Sequence, residues 1–249
     1  MNLKFNFSEK RFIITGTTSG IGQKISLALA GAGAELLAIG RRAERLKELK
    51  DKFPDKISIA AIDVNNFADL KNAIEDYAAI KKVNGTVHAA GVNKFTPLRA
   101  FNWNDADSII KTSAYAGIEL IKLASSKKVG EVGSSHVLLA SVAGIKGEVG
   151  FTAYSAAKSA VIGAMRSMAL ELAVKDMRVN AITPGWLPTE MTDSIEARYP
   201  GKIDTIKLQH PLGIGSVEDI ANLVMFLLSD EARWITGSNI VIDGGYSIR

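Results

Sequence analysis

RFIITGTTSGIGQ, residues 11–23, decides the fold of this chain. A short apolar run ends at a glycine-rich turn, and the residues that follow, IGQKISLALAGAGA, show the spacing of a helix. Gly16, Gly20 and Gly22 let the backbone turn tightly and approach a pyrophosphate, while the helix start offers amide donors and a favourable dipole. The spacing is G-x-x-x-G-x-G rather than G-x-G-x-x-G, so its position after the first strand carries more weight than the pattern alone.

Outward from this stretch, apolar runs alternate with helical patterns. We predict further strands at ELLAIG, ISIAAIDV, GTVHAAG, SHVLLAS, MRVNAITPG and SNIVIDGG. We predict helices between them, including a long one over 104–126 capped by Asn104 or Asp105, another over 152–174 and a last one over 216–230. Strands separated by helices form right-handed βαβ units, and their continuous apolar character indicates helices on both faces. The sequence therefore predicts an α/β fold with a parallel sheet between two helical layers.

Composition narrows the class of protein. The chain has 249 residues, 47% of them apolar, which suits a single domain over residues 1–249 with a sizeable core. It has no cysteine, which excludes disulfides and thiol chemistry. The first residues lack a secretory signal and no apolar run reaches about 18 residues, so we expect a soluble cytoplasmic protein without a membrane partner. A net charge of +4 without basic blocks speaks against a nucleic-acid partner.

One segment breaks the alternation. Residues 186–215 hold three of the six prolines and contain no clear strand. An insertion of this length in a compact domain is typically a lid or a binding loop. We therefore expect a substrate lid at about 186–215.

The ends of the second, third and fourth strands predict how a nucleotide is bound. The second strand ends at Gly40, where an NAD site usually places an acid, and Arg41 and Arg42 follow. Guanidinium groups suit a 2′-phosphate, so we predict NADP(H) in preference to NAD(H). Asp63, with the backbone of Val64, is a candidate for contacting the adenine, and the small residues of HAAG, residues 88–91, allow a ribose to lie against the fourth strand.

The candidate catalytic residues lie after the fifth strand. Ser141 ends that strand, and Tyr154 and Lys158 are four apart at the start of the next helix, so the three side chains can meet at the carboxyl edge of the sheet. A phenol of pKa about 10 is poorly matched to neutral pH, and we expect the ammonium and a positive nicotinamide ring to lower the pKa of Tyr154. The tyrosine would then exchange a proton with a carbonyl oxygen that Ser141 also binds. We expect no metal, since the only imidazoles, His88, His136 and His210, are scattered.

These motifs together resemble the short-chain dehydrogenase/reductase family over essentially the whole chain. The matching pieces are TGTTSGIG, HAAG, Ser141, YSAAK, NAITPG with Thr189, and ITGSNIVIDGG. The resemblance implies a Rossmann-like seven-stranded sheet, NAD(P)-dependent carbonyl–alcohol interconversion, and often a homotetramer or dimer built on the two long helices. The implied cofactor-binding residues are Gly16, Thr18, Ser19, Gly20, Ile21, Gly22, Arg41, Arg42, Asp63, Val64, Ala90, Gly91, Tyr154, Lys158, Pro184, Gly185, Leu187 and Thr189.

The chain departs from the family pattern at two positions. The usual NNAG is HAAG here, which removes an asparagine side chain that normally braces the strand end. The catalytic asparagine of the family, which holds a water between the lysine and solvent, falls at Ser113. We expect an active enzyme in which the shorter Ser113 side chain serves a modified proton relay.

The sequence leaves the substrate open. The resemblance favours the 3-oxoacyl-[acyl-carrier-protein] reductases, and an apolar set near the predicted pocket suits an acyl chain: Ile145, Val149, Phe151, Trp186, Leu187 and Met191. A polar set suits the alternative, a dehydrogenase of a sugar, polyol or other small secondary alcohol: Asn93, Lys94, Lys146, Glu148 and Glu190. The alternative of another class is a non-catalytic NADP-binding sensor or scaffold, against which Ser141, Tyr154 and Lys158 argue.

Overall fold

A computed structural model gives the structure of the protein and describes residues 5–192 and 201–249. Seven parallel strands form one sheet in the order β3-β2-β1-β4-β5-β6-β7. The order reverses beside β1, so the carboxyl ends of β1 and β4 flank a switch point where ligands bind in open α/β sheets. The strands are β1 (Arg11–Thr15), β2 (Glu35–Gly40), β3 (Ile57–Ala61), β4 (Val83–His88), β5 (Gly130–Leu139), β6 (Arg178–Pro184) and β7 (Asn239–Ile242).

Helices cover both faces of the sheet, as the apolar strands predicted. Within the described residues they are α1 (Gly20–Gly31), α2 (Ala43–Lys52), α3 (Phe67–Ala78), α4 (Trp103–Ile110), α5 (Ala116–Ala124), α6 (Thr152–Ala173), α7 (Lys202–Leu208) and α8 (Val217–Leu228). One apolar cluster packs α1, α2 and α8 against the sheet, and two others pack α3, α5 and α6 against the opposite face. The predicted three-layer fold with a seven-stranded parallel sheet is confirmed.

The predicted long helix over 104–126 is interrupted. Between α4 and α5 lies a single wide turn, Lys111–Tyr115, in which the amide of Ala116 bonds to the oxygen of Lys111, five residues earlier; we call it the π turn. The predicted caps Asn104 and Asp105 are also wrong: the side chain of Asn102 accepts the Asp105 amide and caps α4. Periodicity alone did not reveal the extra residue in the turn, because the apolar spacing continues through it.

Strand β5 begins earlier than predicted. It pairs with β4 at Val83–Gly130 and then, after a register shift, at Gly85–Ser135. Gly133, whose φ is +79°, lies in the inserted residues and has the backbone conformation that such irregularities favour. The polar stretch before residue 135 therefore belongs to the strand although it lacks an apolar pattern.

The predicted lid is described in part. Residues 193–200 lie outside the described residues, while α7 and the segment after it are described. Among the small residues on α6, Ala156 and Gly163 are exposed, whereas Ala157 is buried in the core; the homotetramer or dimer stays a prediction. Across the described ranges, no helix has the length and apolarity needed to cross a membrane.

Two histidines are fully enclosed in the sheet, and they make stability depend on pH. Burial lowers the pKa of His88 and of His136 from 6.5 to about 4, and the nearby charges of Lys158 and Arg178 add to the respective shifts. The unfolded chain therefore binds more protons than the folded chain between about pH 4 and pH 6.5. The stabilisation is complete above about pH 6.5 and is lost as the pH falls through that interval.

We expect the free energy of unfolding to decrease below pH 6.5 by up to about 1.4 kcal/mol per pH unit for each histidine. Urea denaturation between pH 4.5 and 8 measures this slope. His136→Gln, which removes one of the two groups, should roughly halve it. A free energy of unfolding that does not change between pH 4.5 and 6.5 would contradict the expectation.

Candidate functional site

Two positions of the glycine turn after β1, Gly16 and Gly22, have no room for a side chain. Gly16 has a φ of +73°, and a Cβ on it would lie 2.5 Å from the Ala90 nitrogen. A Cβ on Gly22 would lie 2.3 Å from the oxygen of Gly16. Only glycines therefore allow α1 to begin so close to the ends of β1 and β4, and the backbone of the turn forms one wall of a groove.

The N-terminus of α1 opens toward this groove. The side chain of Ser19 makes no capping hydrogen bond, and the first turn of α1 carries no acidic residue. The first amides of the helix and its dipole are therefore available to an anion, as they are where helices bind pyrophosphate.

The groove has a volume of about 540 Å³ and collects most of the predicted cofactor-binding residues. Its lining includes Gly16, Thr18, Ser19, Gly20, Ile21, Gly22, Arg41, Arg42, Asp63, Val64, Ala90, Gly91, Tyr154, Lys158, Pro184 and Thr189. Gly185 and Leu187, also predicted, line a neighbouring cavity instead. Sequence reasoning missed Asn65 and Thr112, which join across the groove by a hydrogen bond of 2.8 Å from Nδ2 to Oγ1.

The two arginines after β2 differ in their contacts. Arg42 donates to Thr18, with 2.9 Å to the main-chain oxygen, and pairs with Glu190 at 3.0 Å across the groove. Arg41 is exposed and makes no hydrogen bond or ion pair with the rest of the described chain. A Cβ on Gly40 would lie 2.6 Å from Cγ2 of Thr18, so the acid of a typical NAD site does not fit here.

These features fit a dinucleotide. The glycine turn provides a close backbone approach, α1 provides uncapped amides, and Arg41 provides a guanidinium without a partner among the described residues. The asymmetric charge of the groove, basic near Arg41 and Arg42, matches the phosphate end of such a cofactor.

A second, smaller cavity of about 110 Å³ adjoins the groove. Aromatic rings form much of its wall: the ring of Phe151 lies 6.2 Å from that of Tyr154 and 6.1 Å from that of Trp186. Tyr154, Thr189 and Asn93 are among the residues that line both spaces. The two spaces are therefore continuous at the tyrosine.

Some residues predicted for the substrate pocket are elsewhere. Ile145 and Val149 are exposed and line neither cavity, and Glu190 lies in the groove. Lys94 pairs with Asp105 at 2.6 Å. Lys146 lines neither cavity, and the other predicted residues line the smaller one: Asn93, Glu148, Phe151, Trp186, Leu187 and Met191.

Tyr246, which the sequence analysis did not single out, packs in one apolar cluster with Phe151 and Trp186, two residues that line this cavity. The Nζ of Lys146 binds its main-chain oxygen at 2.9 Å, and its hydroxyl donates to Glu148 at 3.2 Å. The imidazole of His210 stacks on its ring at 4.6 Å. These contacts hold a turn near residue 246 next to the cavity.

Tyr154 is protonated at neutral pH in the folded chain. Burial raises its pKa to about 12, although a hydrogen bond with the Ser141 side chain acts in the opposite direction. The expected lowering of this pKa is therefore wrong for the described residues, because desolvation of the phenolate outweighs the favourable interactions. A protonated phenol beside the Ser141 hydroxyl is suited to donate a proton.

Lys158 lies behind the tyrosine and is 4% exposed. Its Nζ donates to the Leu139 oxygen at 2.7 Å and lies 5.5 Å from the centre of the Tyr154 ring. Burial lowers the pKa of Lys158 to about 8. The amine therefore exchanges its proton close to physiological pH, unlike an exposed lysine.

Ser113 lies in the π turn and is fully buried. Its Oγ has no hydrogen-bond partner among the described residues. The position that a Cβ would take on Gly91 is 3.6 Å from the Nζ of Lys158 and 3.8 Å from the Oγ of Ser113, so both polar atoms approach the same small space. Ser113 is thus behind the groove and near the lysine, and it lines neither cavity.

Known proteins are similar to this chain in sequence and in fold. A family model described as enoyl-(acyl carrier protein) reductase matches residues 16–247. A 3-oxoacyl-[acyl-carrier-protein] reductase FabG of Aquifex aeolicus is 30% identical, with 98% of this chain and 99% of that protein covered.

Two solved structures are similar. One is a short-chain dehydrogenase/reductase of Brucella melitensis, described as a glucose/ribitol dehydrogenase, with 28% identity, a TM-score of 0.91 and coverage of 98% and 99%. The other is ElxO with NADP bound, with 26% identity, a TM-score of 0.87 and coverage of 96% and 99%.

The sheet, the glycine turn, the joined cavities and these matches identify the class: the chain belongs to the short-chain dehydrogenase/reductase family. Within that class it is an NAD(P)-dependent oxidoreductase.

Proposed function

We propose that the protein is an NADP(H)-dependent reductase that interconverts a ketone and a secondary alcohol, with a 3-oxoacyl compound as the ketone. The observation that carries this proposal is the position of Tyr154, which lines both the groove and the smaller cavity. A carbonyl in the cavity would meet the phenol of Tyr154 and the hydroxyl of Ser141 at the boundary with the groove.

When bound, the nicotinamide cofactor supplies the hydride for reduction or accepts it for oxidation. In reduction, the protonated phenol of Tyr154 donates to the carbonyl oxygen as the negative charge develops there. Ser141 donates a hydrogen bond to the same oxygen and stabilises that charge. In the reverse direction the tyrosine accepts the proton of the alcohol.

Lys158 restores the proton of the tyrosine in this proposal. Its pKa of about 8 makes it a proton donor of suitable strength, and its bond to the Leu139 oxygen holds Nζ behind the phenol. Ser113 extends the path, since its unpartnered hydroxyl approaches the same space as Nζ.

Two features of the cavity support different substrates. Its apolar and aromatic lining, with Phe151 and Trp186, supports an acyl chain, in line with the similarity to the FabG relative. The buried Oδ1 of Asn93, which has no partner among the described residues, supports the second candidate, a hydroxylated substrate such as a sugar or polyol. The Brucella melitensis structure, described as a glucose/ribitol dehydrogenase, agrees with that candidate.

A substrate panel tests the proposal. NADPH oxidation is followed with 3-oxoacyl thioesters, keto-sugars and simple ketones, at equal concentration. We expect the highest kcat/KM with a 3-oxoacyl thioester. Preference for a keto-sugar would favour the second candidate, and binding of NADPH without turnover of any compound would favour a non-catalytic sensor.

The exposed guanidinium of Arg41, which has no partner among the described residues, predicts the cofactor preference. Arg41→Ala should raise the dissociation constant of NADPH about 10-fold or more and leave that of NADH unchanged, because a charged hydrogen bond to the 2′-phosphate is lost.

Glu190→Gln should have the opposite effect and lower the dissociation constant of NADPH up to about fivefold, since it frees Arg42 from an exposed ion pair.

Tryptophan or cofactor fluorescence measures both constants. Arg45→Ala is the matched control, because Arg45 is exposed on α2, pairs with Glu48 and lies outside the groove. An equal loss of NADPH and NADH affinity in Arg41→Ala would contradict the assignment of a 2′-phosphate site.

A further inference from the structure

His88 is enclosed at the end of β4, where it is 1% exposed, so both ring nitrogens need partners inside the protein. Nε2 lies 2.9 Å from the main-chain oxygen of Thr112, and Nδ1 lies 2.9 Å from Oγ1 of Thr15 on β1. A carbonyl only accepts hydrogen bonds, so Nε2 carries the proton and Nδ1 accepts from the hydroxyl. The imidazole is thus fixed in one tautomer and joins β1, β4 and the π turn.

The π turn makes the Thr112 oxygen available to this imidazole. In a regular α-helix the amide of Ala116 would bond to the oxygen of Thr112, four residues earlier. Here that amide bonds to the oxygen of Lys111 instead. The Thr112 oxygen, which this amide does not bind, accepts a hydrogen bond from His88.

Gly117, in the first turn of α5, makes the room for the ring. A Cβ on it would lie 3.0 Å from Cδ2 of His88 and 3.1 Å from a methyl group of Leu138. A larger residue would press the imidazole away from the π turn. His88, Gly117 and the extra residue of the π turn therefore depend on one another for their positions.

The π turn also determines where Ser113 points. Ser113 is the next residue after Thr112, and its buried Oγ approaches the space beside the Nζ of Lys158. Burial, with a further contribution from the charge of Lys158, lowers the pKa of His88 to about 4 and so keeps the imidazole neutral. The imidazole therefore keeps its donor on Thr112 throughout the pH range in which Lys158 titrates.

We propose that His88 is a positioning residue, which holds the π turn open through the Thr112 oxygen and so keeps the Ser113 hydroxyl beside Lys158. The inference rests on the proposed function of Ser113 and Lys158 in proton supply. It assigns to His88 a role in turnover that acts entirely through other residues.

Two substitutions at position 88 separate this role from simple packing. His88→Leu fills much of the ring's volume but donates nothing, whereas His88→Gln keeps an N–H near the position of Nε2. We expect His88→Leu to lower kcat about 10-fold or more, with the KM for ketone and the dissociation constant of NADPH unchanged. We expect His88→Gln to stay within about threefold of the wild type.

Double variants show whether the effect runs through Ser113. In a Ser113→Ala background, His88→Leu should lower kcat little further, because the hydroxyl that it would misplace is already absent. An equal loss in both backgrounds would overturn the proposal. Should His88→Leu fail to fold, Gly117→Ala replaces it, since the 3.0 Å contact then displaces the ring by a few tenths of an ångström.

A measurement without substrate separates this inference from the proposed function. The pKa of Lys158, followed by NMR of ¹³C-labelled lysine in the full chain, should change in His88→Leu and stay at the wild-type value in His88→Gln, because a displaced π turn alters the polar groups and the burial around Nζ. If the wild type turns over no compound, the proposed function is wrong, but the Lys158 titration still tests the positioning role of His88. Identical Lys158 titration and identical kcat in His88→Leu and the wild type would overturn the positioning role.

Discussion

Replacing Tyr154 with phenylalanine is expected to lower kcat by about 10²- to 10⁴-fold, because the proton donor at the carbonyl oxygen is removed. The ring contacts with Phe151 remain, since phenylalanine keeps the ring. The dissociation constant of NADPH should change little, as the wall of the groove keeps its shape. Steady-state kinetics with the best compound of the panel, together with cofactor titration, measure both quantities.

Tyr77→Phe is the matched control for this experiment. Tyr77 is a buried tyrosine on α3 and lies outside both cavities, so removal of its hydroxyl should leave kcat unchanged. A Tyr154→Phe enzyme with more than about a tenth of wild-type kcat would mean that another group supplies the proton.

Replacing Gly22 with alanine should disrupt the nucleotide end of the site. The new Cβ would lie 2.3 Å from the oxygen of Gly16, a contact that forces the turn and α1 apart. We expect the free energy of unfolding to fall by about 1–3 kcal/mol, as for overpacked interiors. The dissociation constant of NADPH should rise about 10²-fold, because the backbone amides move by an ångström or so from the phosphate position.

Gly31→Ala controls for the same substitution in the same helix. A Cβ on Gly31 would lie 3.7 Å from the Phe53 ring, which is an ordinary contact. The cofactor affinity of Gly31→Ala, measured by cofactor titration, should therefore equal that of the wild type. Urea denaturation measures its stability. Equal affinities in Gly22→Ala and Gly31→Ala would show that the glycine turn does not contact the cofactor.

The sequence was sufficient for the parts of the site that lie within contiguous motifs. Alternating apolar runs predicted the parallel sheet, and a parallel sheet brings the ends of its strands to one edge. The glycine turn, Ser141, Tyr154 and Lys158 could therefore be placed together without a structure.

The rest depended on contacts between distant segments. The π turn exists where a carbonyl at Thr112 meets an imidazole 24 residues earlier, and helical periodicity contains no trace of that bond. Arg42 and Glu190, 148 residues apart, pair across a groove whose width the sequence does not state. The high pKa of Tyr154 likewise reflects burial in the folded chain, which outweighs the hydrogen bond with Ser141 and which the sequence did not reveal.

The groove between β1 and the lid segment has a consequence for the lifetime of the protein. Its lining runs from Gly16 to Met191, so it exists only after β1, β4 and β6 have joined in one sheet. A cofactor that recognises this groove binds the folded chain and not the unfolded one, and at 100 times its dissociation constant it adds about 2.7 kcal/mol to the free energy of unfolding. The supply of reduced and oxidised nicotinamide nucleotide would then set how long each molecule survives, as well as how fast it turns over.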